Sequence, residues 1–260
     1  MILYGRNPVS EALRGRRATA VKDVWATAPA AREPWLKAAR PRIVTSEEIE
    51  RRCGSSAHQG VCADAGPYPY VSAEQLLAGK EPLIVALDQV QDPQNLGSIC
   101  RSAECAGAAG VVIPERRAAE VTPAVCKASA GAVEHLPLAR VRNIADFLAQ
   151  AREAGCWCYG ASGDEDGAEG EHGDAQGSKR PARGARAPIP YDRPDYAGAG
   201  VVLVLGSEGS GLRPRVAGAC DELIALPLLG RIESLGVSAA AAAILYEILQ
   251  SRAAGLDNSP

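Results

Sequence analysis

The chain has 260 residues, 47% hydrophobic but only 4% aromatic, so its core must be built mainly from Val, Leu, Ile and Ala. No uncharged apolar run reaches the ~18 residues that a membrane helix needs; residues 237–245 span nine and are followed by Tyr246-Glu247. A net charge of −3 hides an asymmetry: residues 1–80 carry twelve Lys and Arg against eight Asp and Glu, while the rest is acidic, which suits an RNA-facing patch and ordinary solvated charge equally.

The first ten residues, MILYGRNPVS, contain no apolar leader segment. The eight cysteines form no CxxC pair and the three histidines are scattered, so no metal site is expected. Cys156 and Cys158, a bare CxC, read as two buried thiols. The expectation is a reduced, cytoplasmic protein with no membrane segment.

From the amino terminus, a short helix is expected from Pro8 to Leu13, strands near Val21–Thr27 and Arg42–Thr45, and another at Val61–Ala63. Gly66-Pro67-Tyr68-Pro69-Tyr70 breaks regular structure, and residues 71–81 read as a short helix and linker. These features predict a small α+β domain over 1–75 and a second domain over 76–260. Leu83 to Asp88, LIVALD, is a continuous apolar run ending in an acid, the pattern of a strand buried on both faces of a parallel sheet. Further strands are predicted at 110–113, 136–141, 156–161, 201–205 and 223–226. Helices are predicted at 96–106, 122–130, 144–153, 213–219 and 238–251. This alternation specifies an α/β domain with a mostly parallel sheet flanked by helices. Residues from about 162 to 190 lack apolar periodicity and carry an acidic run followed by a basic one; they read as a disordered insertion.

Three loops follow predicted strands, where α/β folds place their sites. In the first, Asp92-Pro93-Gln94-Asn95-Leu96-Gly97-Ser98-Ile99-Cys100-Arg101, Asn95 is either a helix cap or a site residue. Arg101 is either a snorkelling surface side chain or a guanidinium aimed at an anion. The second, Gly206-Ser207-Glu208-Gly209-Ser210-Gly211, has glycines that permit close backbone approach. Its carboxylate repels phosphate, and no Lys follows Gly211, so it is not a nucleotide cradle. The third runs from Leu226 through Ser234-Leu235-Gly236-Val237-Ser238 into an Ala-rich helix; its serines are candidate caps.

Together these stretches resemble the three motifs of the SPOUT superfamily, specifically the SpoU/TrmH family of RNA ribose 2′-O-methyltransferases. YGRNPVSEAL and AHQGVCA resemble the small substrate-binding domain of the branch that modifies guanosine in bacterial 23S ribosomal RNA. The resemblance implies a trefoil-knotted sheet, S-adenosylmethionine (SAM) as methyl donor, RNA as partner and a homodimer. It implies SAM contacts at Gly206, Leu226 and Leu235, and catalytic positions at Asn95, Arg101, Glu208 and Ser234. One position departs: where the family usually has Asn, this chain has Gly236, and a side-chain amide is lost. Two other readings follow from the same residues. One is a tRNA 2′-O-methyltransferase of the same family; the other is a non-catalytic RNA-binding or ribosome-assembly factor that kept the fold.

Overall fold

The computed structural model describes residues 1–163, 187–232 and 234–257. Near the amino terminus, β1 (Ile2–Tyr4), β2 (Asp23–Ala26), β3 (Arg42–Ile43) and β4 (Val61–Asp64) form a four-stranded sheet in the order β1-β4-β2-β3. Helices α1 (Arg6–Ala12), α2 (Pro34–Lys37) and α3 (Ser46–Cys53) accompany it. The strand expected to reach Thr45 stops at Ile43, because the Thr45 side chain accepts from the Glu48 amide and caps α3. Ile49 of α3 packs with Trp25 and Cys62 on one face of this sheet. Leu3, Val24, Ala26, Val61 and Ala63 fill the other face and run continuously into the main core.

Helix α4 (Ala73–Leu77), with a Ser72–Gln75 capping box, leads to the larger sheet. Its strands are β5 (Leu83–Leu87), β6 (Gly110–Pro114), β7 (Leu138–Val141), β8 (Cys156–Ser162), β9 (Ile189–Pro190), β10 (Gly200–Leu205) and β11 (Glu222–Ala225). They lie in the order β7-β6-β5-β10-β8-β11-β9, and every pairing is parallel. β5, β6 and β10 are buried along their whole length, as expected when helices cover both faces. The helices are α5 (Pro93–Cys105), α6 (Pro123–Ala128), α7 (Ile144–Glu153), α8 (Pro214–Ala217) and α9 (Val237–Asp257). Alternate residues of β5 face two cores: Leu83, Val85 and Leu87 meet Leu96 and Ile99 of α5 and Ile244 of α9. Ile84 and Ala86 meet Phe147 and Leu148 of α7. Ala241, Ile244, Leu245 and Ile248 make the buried stripe of α9, which packs on α5.

A buried ion pair joins the two sheets' regions. Arg17, next to the small sheet, donates from Nε to Glu134 Oε2 at 2.8 Å and from Nη2 to Oε1, with side chains 1% and 0% exposed. Burial disfavours the Arg17 charge, but the hydrogen bond and field of Glu134 outweigh it and raise the guanidinium's pKa. The Tyr68 hydroxyl, 3.0 Å from the Val133 and Leu136 carbonyls, adds a second anchor. Of the expected insertion, Ser162 ends β8 and Ile189–Pro190 form β9 instead; residues 164–186 lie outside the described residues.

Candidate active site

The candidate site lies where β5 and β10, adjacent and parallel, deliver their carboxyl ends. Asp88, the acid closing LIVALD, is wholly buried. Its backbone N–H donates to the Leu205 carbonyl at 2.7 Å. Its carboxylate accepts from the Arg213 amide (3.0 Å) and Nε (2.8 Å) and pairs with Nη2 at 2.6 Å. Asp88 therefore holds both ends of the 206–212 loop. Within that loop, the Ser207 and Gly211 amides donate to each other's carbonyls at 3.1 and 3.0 Å. A Cβ on Gly206 would sit 2.1 Å from the Gly211 carbonyl carbon, so only glycine permits this closure.

On the β5 side, Asp92 rather than Asn95 caps the following helix. It accepts from the Gln94 and Asn95 amides at 3.1 and 3.3 Å, with Pro93 in the first turn. The helix thus starts three residues before the expected Leu96, and the Asn95 side chain is released for other use. Its Nδ2 donates to Glu208 Oε1 at 3.0 Å, 113 residues away. This bond ties the tips of two loops whose bases Asp88 holds together. Between them opens a cleft of about 330 Å³, lined by Gln89, Val90, Gln91, Asp92, Asn95, Ser207, Glu208 and Val237. Gln89 adopts the left-handed conformation, φ +64°, which is uncommon for a residue with a Cβ.

The other expected residues are placed as follows. Arg101 is exposed on α5, has no hydrogen-bond or ion-pair partner among the described residues, and does not line the cleft. Ser234 is exposed, and its hydroxyl accepts from the Gly236 amide at 3.2 Å. Leu226 is half-buried against the main core, and Leu235 is 52% exposed. Neither lines the cleft, and nor does Gly206, which sits beneath it at the foot of its loop. Gly236 immediately precedes α9, its carbonyl accepts from the Ala240 amide at 3.0 Å, and its φ is +80° with open space around the Cβ position. It takes the capping place at α9 that Ser234 or Ser238 was expected to fill.

The cleft is of a size to hold a small cofactor. Its lining has two carboxylates, Asp92 and Glu208, and no cationic side chain; this donor set suits a ligand with positive charge and disfavours phosphate. Among the described residues no group of His, Cys, Asp and Glu could hold a metal ion. Cys156 and Cys158 are buried, and burial pushes both thiols up. No described helix is long and apolar enough to cross a membrane. Sequence reasoning missed Asp88, Arg213, Gln89 and Val237. The terminal Asp of LIVALD was the available signal, since an acid beside a doubly buried strand needs a partner.

Comparison with known proteins matches the SpoU rRNA Methylase family model over residues 82–246. A model described as RNA 2′-O ribose methyltransferase substrate binding matches residues 2–71. A putative TrmH family tRNA/rRNA methyltransferase of Bacillus subtilis, YacO, is 34% identical over 264 residues, covering 96% of this chain and 95% of that protein. An uncharacterized tRNA/rRNA methyltransferase of Mycolicibacterium vanbaalenii is 36% identical, covering 96% and 76%. Among solved structures, the SpoU methyltransferase AviRb of Streptomyces viridochromogenes in complex with AdoMet superposes with a TM-score of 0.73 at 25% identity, over 98% of this chain and 91% of that one. An AdoMet-bound rRNA methyltransferase of Sinorhizobium meliloti gives 0.71 at 25% identity, over 96% and 86%.

Proposed function

The chain belongs to the SpoU rRNA methylase family, and from that premise we propose that it methylates a ribose 2′-hydroxyl of RNA, specifically of a guanosine in 23S ribosomal RNA. It is a SAM-dependent RNA methyltransferase. The observation that carries the site assignment is the 3.0 Å Asn95–Glu208 hydrogen bond. It brings together two family-motif positions across a cleft with the right size and charge for SAM.

When bound, SAM supplies an electrophilic methyl on a positively charged sulfur. Glu208 and Asp92 give that charge a complementary edge. Gly206, Leu226 and Leu235 do not line the cleft; in this reading they flank the cofactor from the surrounding loops, and Ser234 shapes the turn before α9. A ribose hydroxyl is protonated at neutral pH and is a weak nucleophile. Arg101, free of protein partners among the described residues, holds the target phosphate and stabilises the developing alkoxide. A guanidinium is too weak a base to remove the proton itself, so the proton leaves through the phosphate or water. Asn95, oriented by Glu208, positions the ribose, and much of the rate comes from that alignment.

Residues 1–75 act as the substrate-binding domain and 76–260 as the methyltransferase domain, whose C-terminal strands and α9 close a trefoil knot. Tyr246 and Leu249 of α9, with Leu229 and Ile232, are exposed apolar residues; they supply the face of a homodimer acting in the cytoplasm. The match over 2–71 is to an RNA substrate-binding domain; the resemblance of YGRNPVSEAL and AHQGVCA to the branch that modifies 23S ribosomal RNA supports ribosomal RNA as the substrate. Incubating the protein with labelled SAM and total RNA from a strain lacking it, followed by mapping, tests all of this. Label should appear as 2′-O-methylguanosine in 23S RNA; label in tRNA, or none, would refute the assignment.

A further inference from the structure

We propose that the carboxyl-end rim of the parallel sheet, from β5 out to β7, is a phosphate track that grips the substrate RNA to one side of the target nucleotide. The inference rests on the reading of the chain as an RNA methyltransferase and adds a surface to it. In the order β7-β6-β5-β10 all pairings are parallel, so the segments that follow these strands emerge along one edge. After β5 and β10 come the cleft loops. After β6 come Arg116 and Arg117, and after β7 comes Arg142. Strands lie ~4.8 Å apart, which puts the end of β7 about 10 Å from that of β5, within reach of nucleotides adjoining the target.

The rim loops are hydrogen-bonded in series. The Glu115 amide donates to the Val141 carbonyl at 2.8 Å, and the Ala119 amide to the Val90 carbonyl, beside the cleft, at 2.9 Å. Arg140 props the middle of this arrangement. It donates from Nη2 to the Glu115 carbonyl at 3.2 Å, pairs with Glu120 at 3.0 Å and stacks over Tyr70. Arg116, Arg117 and Arg142, by contrast, are exposed, and none has a hydrogen-bond or ion-pair partner among the described residues. Past β7 the rim opens into a polar groove of about 650 Å³ that includes Arg140, Arg142, Asn143 and Gln150. Two acids near it are already neutralised, Glu120 by Arg140 and Asp146 by Arg215, although Glu74 and Glu115 also line the groove.

The occupant is a polyanionic backbone rather than a protein. Protein interfaces centre on apolar and aromatic anchors, and every exposed large hydrophobic residue described lies outside 88–150. Unpaired guanidinium groups following successive strands match phosphate oxygens. The track also divides charge: the cleft is lined by carboxylates without a cation, while the rim beside it presents the unpaired Arg116, Arg117 and Arg142 among Glu74 and Glu115.

The test uses the full-length protein, a fluorescent single-stranded RNA oligonucleotide, and ribosomal RNA from a strain lacking the protein. In Arg116→Ala/Arg117→Ala/Arg142→Ala, affinity for the oligonucleotide should fall at least tenfold. The log–log salt slope of binding should shrink by about 2, since each phosphate contact contributes ~0.7. KM for ribosomal RNA should rise in parallel, and the affinity for SAM should stay within twofold. The corresponding triple Lys variant, which keeps the charges, should retain the salt slope. An unchanged slope and RNA affinity in the Ala variant would overturn the track, as would a matching loss of SAM affinity, which would make these residues props of the cleft. Failure of the underlying reading looks different: the wild type itself would neither bind SAM nor transfer methyl.

Discussion

Arg17→Met removes the guanidinium of the most deeply buried ion pair and leaves the Glu134 carboxylate, 0% exposed, without a cation. Breaking a buried pair from one side costs about 3–5 kcal/mol, because the remaining charge stays desolvated. A domain of this size loses roughly 2–4 °C of melting temperature per kcal/mol, so calorimetry should show a fall of about 6–20 °C. Adding Glu134→Leu removes the stranded charge, and the double variant should recover most of the loss, since apolar replacement of a buried pair is often neutral or better. Because the pair joins elements 117 residues apart, the single variant should also expose the segment at 15–22 to proteolysis before the large sheet opens. A single variant melting within 1 °C of wild type would refute the reasoning, showing that the pair adds nothing once water can enter.

Other consequences are local to the site or the thiols. Asp88→Asn should lower SAM affinity about tenfold or more by calorimetric titration, because the amide cannot satisfy the three Arg213 donors; wild-type affinity would show that the loops hold without this staple. Gly236→Asn should fold normally, since the position is open and left-handed and Asn tolerates that conformation. If the missing amide orients the site, single-turnover transfer should rise about tenfold per 1.4 kcal/mol recovered; an equal or slower rate would mean the glycine is compensated. With a thiol reagent at pH 8, Cys105, the exposed cysteine, should react alone at a fast rate, and Cys105→Ser should abolish that phase. Burial pushes Cys62, Cys126 and Cys220 up to about 12 and keeps them as unreactive thiols; a fast phase surviving Cys105→Ser would contradict this.

What could be read in the chain itself was what depends on near neighbours. LIVALD declared a doubly buried strand, residues 110–113 were expected as a further strand, observed as Gly110–Pro114, and the apolar spacing from Ile144 to Glu153 marked α7 at its observed bounds. β1 and α3 were not anticipated. β1 has only three residues, and the α3 signal, Thr45 followed by Glu48, was absorbed into a strand reading. Asn95 looked like a cap because Asp92, the real cap, seemed part of a turn. The Asp88–Arg213 and Asn95–Glu208 contacts span 125 and 113 residues, and no local pattern announces a partner at that distance. Family motifs placed Asn95 and Glu208 in one site, but only the fold shows them bonded, with Arg101 standing outside the cleft.

The central claim is that the Asn95–Glu208 cleft holds SAM while Arg101 serves the RNA. The most direct test measures single-turnover methyl transfer and SAM affinity side by side in wild type, Glu208→Gln and Arg101→Ala. Arg101→Ala should abolish transfer, a loss of at least ~100-fold or 2.7 kcal/mol, with SAM affinity nearly unchanged. Glu208→Gln should weaken both. Lost SAM affinity in Arg101→Ala, or full transfer without that side chain, would contradict the account.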